Sequence, residues 1–424
     1  MPATAAQPSP VGRYRWRICG LLFFATTINY VDRQVLALLK PMLSVSIHMS
    51  ELQYAHIVFA FQLAYAIGLL VMGRFIDRVG IRIGYAIAIG IWSVAAMGHA
   101  LVSTVLGFGV MRFLLGLGES GNFPAAIKTV SVWFPRRERA LATGIFNSGT
   151  NVGATIAPLA VPWIAVKLGW RWAFVFTGIF SITWIILWLG RYRAPEEHPK
   201  VGEAELLHIR SETIPLQRTI GWGKLLEYRQ SWAILIAKFL TDPIWWFFLY
   251  WLPPYFYQQH GLSLIKLGPP LIIIYNASAV GSIGGGWLAK FLLRRGLSLN
   301  AARKTTMLIC ALLVAPVVFV GHVTTTWSAV VLISMACAGH QGWSANVFTL
   351  SSDVFPAAAV GSITGFAGFG GAVGGMLISE GTGLLLQTTH SYNVLFIIAG
   401  SVYLIALLIV QILIPKLQPL HIEI

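Results

Sequence analysis

Charge is what this sequence has little of. Only 11% of its 424 residues are Asp, Glu, Lys or Arg, against the roughly 25% that a soluble domain carries. Acidic residues are the scarcest, 15 against 30 basic ones. Cysteine is nearly missing: Cys19, Cys310 and Cys337 each stand alone in an apolar stretch, with no Cys-x-x-Cys or Cys/His spacing. That argues against a disulfide framework or a thiolate metal site, and the three read as small buried hydrophobes. No nucleophile–base pair or metal-ligand constellation stands out, so neither an enzyme nor a cofactor is expected. The stretch up to Arg15 has no apolar core of a cleaved leader, so the first hydrophobic segment reads as a permanent span.

What is present is apolar. Hydrophobic residues make up 56% of the chain, and at ~20 residues per crossing helix this suffices for about twelve spans. Strand-like alternation is absent, which excludes an outer-membrane barrel. Apolar segments fall at 15–38, 52–74, 83–103, 105–131, 138–164 and 171–190, then at 231–257, 264–290, 304–322, 326–350, 359–388 and 392–414. Between the two sets lies a polar stretch with Glu196, Glu197, Glu203, Glu205, Glu212 and Glu227. The expected fold is all-α: twelve transmembrane helices in two pseudo-symmetric six-helix bundles, residues 1–190 and 231–424, joined by a loop at 191–230.

The net charge of +15 is a topology signal. Of the 30 Lys and Arg, 22 fall on the side that holds both termini and the connecting loop, and four on the other. By the positive-inside rule the termini are cytoplasmic. These charges are scattered over short loops, so no nucleic-acid partner is expected; the partner is the lipid bilayer.

Between spans two and three stands Gly73-Arg74-Phe75-Ile76-Asp77-Arg78-Val79-Gly80-Ile81-Arg82. The run resembles the hinge signature of the major facilitator superfamily. Gly73 would let helices approach, Asp77 would meet a helix N-terminus or a neighbouring Arg, and Arg78 and Gly80 would complete a conformational latch.

Charges inside predicted spans are costly and mark sites: Asp32, Arg33, Arg112, Glu119, Lys128, Lys238, Asp242 and Glu380. In span one, Asn29 and Arg33 share a helix face, with Tyr30 beside them, while Asp32 points about 100° away. A guanidinium forks onto a carboxylate, which suggests an organic acid as ligand. In span four, Arg112 and Glu119 lie two turns apart on one face, and Glu119 is placed to load and release a proton. A purely structural Asp32–Arg112 or Arg33–Glu119 ion pair is the competing reading. Gly116-Leu117-Gly118-Glu119-Ser120-Gly121 spells a dinucleotide fingerprint, but inside an apolar helix it serves packing. Lys238 and Asp242 form an i, i+4 pair before Pro243, followed by Trp245 and Trp246, rings that stack on a sugar or pack as core. In span ten His340, Gln341, Ser344 and Asn346 are expected to face the cavity, with His340 more a structural histidine than a proton carrier.

At these residues, with Lys238-Phe-Leu-Thr-Asp242-Pro243, His340-Gln-Gly-Trp-Ser-Ala-Asn346 and Ser362-Ile-Thr-Gly365, nearly the whole chain resembles the anion:cation symporters, and within them bacterial hexuronate transporters. The resemblance implies proton-coupled uptake of glucuronate or galacturonate by a monomer in the bacterial inner membrane. It implies that Arg33 binds the carboxylate between Tyr30 and Tyr65, that Asp32 and Glu119 carry protons and that Arg112 tunes them. Asn147 and Asn151 of span five would meet hydroxyls. Glu380 departs from the pattern. The alternatives are another sugar acid or organic anion (galactonate, glucarate, an aromatic acid), or a drug/proton antiporter, whose cavity would be acidic without Arg33 and Arg112.

Overall fold

The computed structural model describes residues 12–211 and 222–420; Glu212 and Arg218 of the connecting loop, and the residues before Gly12, lie outside the described residues. All regular structure among the described residues is helical. The first half comprises α1 (Tyr14–Ser46), α2 (Glu51–Val79), α3 (Ile81–Gly98), α4 (Val105–Glu119), α5 (Asn122–Trp133), α6 (Arg136–Leu168) and α7 (Trp170–Arg191). Two short helices follow in the connector, α8 (Glu203–Arg210) and α9 (Trp222–Leu226). The second half holds α10 (Arg229–His260), α11 (Gly268–Arg294), α12 (Leu299–Val314), α13 (Thr326–Val354), α14 (Ala357–Thr389) and α15 (Asn393–Leu413).

Local chemistry sets the boundaries. Ser50 caps α2 in a reciprocal box with Gln53. Gly80 joins α2 to α3 at φ +87°, a backbone conformation that a side chain would strain. Pro316 turns the end of span nine into a 3₁₀ stretch, Ala315–His322. Span four is broken: the sequence suggested one helix over 105–131, but α4 stops at Glu119 and α5 starts at Asn122. Ser120 Oγ donates to Leu117 O at 2.6 Å, and Gly118 and Gly121 press onto Ala88 and Trp92 of α3. A hydroxyl competing for the backbone and two glycines explain the interruption.

Nine helical segments among the described residues are long and apolar enough to cross a membrane. The long helices outside that set are α1, the broken α4–α5 and α13, and these carry Arg33, Arg112, Glu119 and His340. In α1 and α13 the polar residues of the site interrupt the apolar run, whereas α4 and α5 are each too short because the span is broken.

Helix packing repeats between the halves. In the first, α1 packs on α6, α2 on α4 and α3 on α7; in the second, α10 packs on α14, α11 on α13 and α12 on α15. These are the same pairs of spans, which is the pseudo-symmetry expected of a duplicated bundle. The halves meet through α2 with α14, α6 with α11 and α1 with α10.

These inter-half contacts sit at mid-depth or on the face away from the termini. Tyr54 Oη donates to Tyr250 O at 2.8 Å, Gln258 Nε2 to Glu51 Oε1 at 2.8 Å, and His56 Nδ1 lies 2.9 Å from Glu380. Deeper, Ser379 Oγ donates to Gln62 Oε1 at 3.3 Å and Asn276 to Thr155 at 3.4 Å. Asn147, three turns into α6, is exposed; a polar side chain at that depth belongs to a wet gap, not to lipid.

Candidate functional site

The site grows from α1. Asn29, Asp32 and Arg33 of its middle turn are buried, and Arg33 Nε donates to Glu119 Oε2 of α4 at 2.6 Å with both side chains almost fully buried. Four rings close around the guanidinium: Tyr65 at 4.6 Å from its carbon, Tyr30 at 4.9 Å, Phe61 at 5.6 Å and Trp246 at 5.7 Å. Tyr30, Phe61 and Tyr65 come from the first half and Trp246 from the second, so the box is completed only where the halves meet. Arg33 Nη2 and Glu119 Oε1 remain without a hydrogen-bond partner. Buried polar atoms ordinarily find one, so the pair presents one donor and one acceptor to whatever enters.

Arg112 also reaches the backbone of α1. It makes no ion pair with Asp32; its Nη1 and Nη2 donate to the backbone carbonyls of Asp32 and Arg33 at 3.4 and 3.2 Å. It therefore staples α4 to the functional turn of α1. Asp32 is buried too, but its carboxylate is turned toward Thr177 and Ser181 of α7, away from the aromatic box. Of the two structural ion pairs considered, Arg33–Glu119 forms and Asp32–Arg112 does not. Gly116, between the two charged residues of α4, lies on the Phe61 carbonyl of α2, where any side chain would collide.

The remaining sequence-derived residues divide by location. Asn147 is exposed and Asn151 partly exposed on α6, while Gly149 and Gly153 press onto Phe23 and Thr27 of α1. In the second half, the Trp245 ring lies parallel to His340 at 5.5 Å, and His340 Nδ1 bonds to Tyr403 Oη at 2.6 Å. His340 is thus held between α10 and α15. Gln341 and Ser344 are partly exposed. Asn346 turns to α11, donating to the carbonyls of Gly342 and Gly285 at 2.9 and 3.3 Å; Gly281 and Gly285 bring α11 so close to α13 that the amide is used in packing.

At the hinge, Asp77 pairs with Lys128 of α5 at 2.5 Å, where the sequence suggested an Arg or a helix N-terminus. Gly73 has nothing within 4 Å of a would-be Cβ; the close approach is at Gly84, which lies on Ile76. Arg78 is exposed.

Phe61 is a site residue that the sequence did not single out, whereas Trp246, expected to stack on a sugar or pack as core, lies against the Arg33 guanidinium. Phe61 stands four residues before Tyr65, on the same helix face, and its ring stacks on Tyr65 at 5.9 Å; that spacing was the available signal. Among the described residues, no three His, Cys, Asp or Glu side chains come together to hold a metal ion.

Comparison with known proteins bears on this geometry. The profile of the Major Facilitator Superfamily matches residues 22–379. The hexuronate transporter of Escherichia coli (strain K12) is 30% identical over 402 residues, covering 93% of this chain and 93% of that protein. The D-galactonate transporter of Escherichia coli O6:H1 is 30% identical over 400 residues, 91% of this chain and 92% of its own. The galacturonate transporter of Dickeya chrysanthemi is 30% identical over 330 residues, 76% of this chain and 95% of its own. Among solved structures, a D-xylose–proton symporter superposes with a TM-score of 0.73 at 18% identity, over 96% of this chain and 98% of that one. A bacterial homologue of the human lysosomal transporter Spinster, inward-facing and unoccupied, gives 0.73 at 16% identity, over 96% and 99%. At those identities the structural likeness shows the fold alone.

Proposed function

We propose, from the premise that this chain belongs to the major facilitator superfamily and is a multi-pass transporter and not an enzyme, that it carries hexuronates such as glucuronate and galacturonate inward with protons. The observation that carries this reading is the buried Arg33–Glu119 pair inside an aromatic box shared by both halves. The names of the relatives supply the substrate class.

The chemistry follows from competition. A guanidinium can satisfy an external carboxylate through its planar fork, but an ionised Glu119 already holds its Nε and competes for its charge. Protonating Glu119 removes the internal competitor and frees Arg33; binding a sugar acid then favours the protonated form, and losing the proton favours release. Two ligands that each favour the other's binding are moved together. Tyr30, Tyr65 and Trp246 offer faces for the apolar side of a sugar ring. Asn147, Asn151, Gln341 and Ser344 supply hydroxyl contacts from the two walls of the cleft, with Trp245 and His340 behind them. Asp32 is a second proton carrier and Arg112 keeps the turn in place.

In this reading residues 1–190 and 231–424 rock as two units around the site, the connector tolerating the motion. The termini face the cytoplasm of a bacterial cell, the protein sits in the inner membrane as a monomer, and the closed side is periplasmic. Gly73, Asp77, Arg78 and Gly80 latch the opposite side when it closes. An aldonate is the second reading, favoured by the D-galactonate transporter at equal identity.

The test is uptake into proteoliposomes of radiolabelled glucuronate, galacturonate and galactonate, with and without an inward proton gradient. Gradient-dependent accumulation of a uronate supports the reading. Accumulation of none of them, or accumulation indifferent to the gradient, overturns it.

A further inference from the structure

One buried charge pair is left idle by that mechanism. Lys238 Nζ lies 3.1 and 2.8 Å from the two carboxylate oxygens of Asp242, and over the Phe348 ring at 4.0 Å. The lysine side chain is 5% exposed and the aspartate 19%, so the carboxylate is the more accessible end of the pair. Gly371 of α14 lies directly on Asp242, where any side chain would collide with Oδ2. The pair is therefore held from behind and open in front.

Its position relative to Arg33 is fixed by helix geometry. Lys238, Asp242 and Trp246 follow at four-residue intervals on α10, so they share a face, one turn or about 6 Å apart. Trp246 is the ring that touches the Arg33 guanidinium. Tyr30, which lies over the same guanidinium, is within electrostatic reach of Asp242 across the cleft. In the pose inferred here, a six-carbon acid with its carboxylate on Arg33 reaches Asp242 with its other end, along the α10 face that carries Trp246.

We propose that the Lys238–Asp242 pair is a specificity subsite. It accepts the hydroxyl-bearing end of a monocarboxylic sugar acid and rejects a second carboxylate. A carboxylate held by one ammonium still has free lone pairs, to which sugar hydroxyls donate. A second substrate carboxylate meets the Asp242 charge in a low-dielectric cleft and must displace it from Lys238, a repulsive element of the kind that sets specificity. This inference rests on the sugar-acid reading of the cleft.

The experiment is competition by glucarate, a dicarboxylate, against radiolabelled glucuronate on the purified full-length protein. The unmodified chain should bind glucuronate at least about tenfold more tightly than glucarate. Asp242→Asn frees the Lys238 charge, and glucarate should gain about tenfold relative to glucuronate. The neutral pair Lys238→Gln with Asp242→Asn, which buries no charge, should bring the two ligands to near-equal affinity and serves even if the single variant does not fold. A wild-type preference ratio in these variants, with glucuronate still bound, overturns the subsite. Glucarate bound by the unmodified chain as tightly as glucuronate overturns it too. Failure of the unmodified chain to bind either acid sinks the sugar-acid reading itself, a distinguishable result.

Discussion

Arg33 Nε and Glu119 Oε2 stand 2.6 Å apart in a buried pocket, and each side chain keeps one further polar atom without a partner. A pair of this kind stabilises little by itself, because burial costs both ions their hydration. Its use is that either charge can be exchanged for another ligand.

Replacing Arg33 by Ala should therefore abolish carboxylate binding. Losing a buried charge-assisted contact costs about 2–5 kcal/mol, which corresponds to roughly 30-fold or more in affinity. Arg33→Lys keeps the charge but loses the fork, and should fall between. Competition binding on purified protein checks both, and wild-type affinity in Arg33→Ala would refute the carboxylate role.

Arg112 should behave as a structural arginine. Its two hydrogen bonds to α1 carbonyls imply that Arg112→Ala lowers thermal stability by about 1.5–3 kcal/mol per lost charged bond. Its defect in binding should be no larger than that loss of stability explains. A melt unchanged from wild type would contradict the staple.

Much of this was legible in the sequence and part was not. Arg33, Arg112 and Glu119 stood out because a charge in an apolar span needs a reason. The seven-residue spacing of Arg112 and Glu119 placed both on the face toward α1, as observed. Which partner each would take was hidden, since Arg112 reaches backbone carbonyls and backbone carries no sequence signature. Asp32 turns to α7 because its neighbours on the far side of the helix are Thr177 and Ser181, a tertiary fact. The break after Glu119 was obscured by apolar residues on both sides; only the Gly-x-Gly-x-Ser-Gly run hinted at it, and that run also spells ordinary close packing.

Glycine substitutions separate packing from gating. Gly118→Ala puts a methyl 2.6 Å from the Trp92 amide nitrogen and 2.8 Å from the Ala88 carbonyl oxygen, backbone atoms that cannot give way. It should cost about 1–3 kcal/mol in a thermal melt. Gly73→Ala meets nothing within 4 Å and should leave the melt unchanged in this conformation, while slowing transport if the latch closes over that position. A Gly73→Ala variant with normal turnover would remove Gly73 from the latch.

The closed face should loosen when its cross-half pair is cut. His56 and Glu380 are both solvent-accessible, and pairs of that kind contribute at most about 1 kcal/mol. Glu380→Gln should shift the balance toward the opposite opening by up to about fivefold, read as a changed distance distribution between spin labels on the two halves. An unchanged distribution would make the contact incidental.

Outside the membrane, Glu138 ties α6 to Arg15 of α1 and His208 of α8, at 2.8 and 2.9 Å. Burial pushes its carboxyl up, but the hydrogen bonds from Arg15 and His208 outweigh this and hold it below the usual range. A depressed folded value means the cluster's contribution is complete above the unfolded carboxylate range, about pH 4.3. It is lost as pH falls through the folded value. Melts from pH 7 down to pH 3 should show an acid-side loss of stability that is smaller in Glu138→Gln. Parallel curves would dismiss the linkage.

The central claim is that one guanidinium is shared in turn by Glu119 and the substrate, with a proton deciding which. The measurement that tests it most directly is Glu119→Gln in proteoliposomes, assayed for both counterflow exchange and gradient-driven uptake of glucuronate. A neutral amide mimics the protonated acid, so exchange should persist while accumulation against a gradient disappears. Full proton-driven accumulation by that variant would contradict the account.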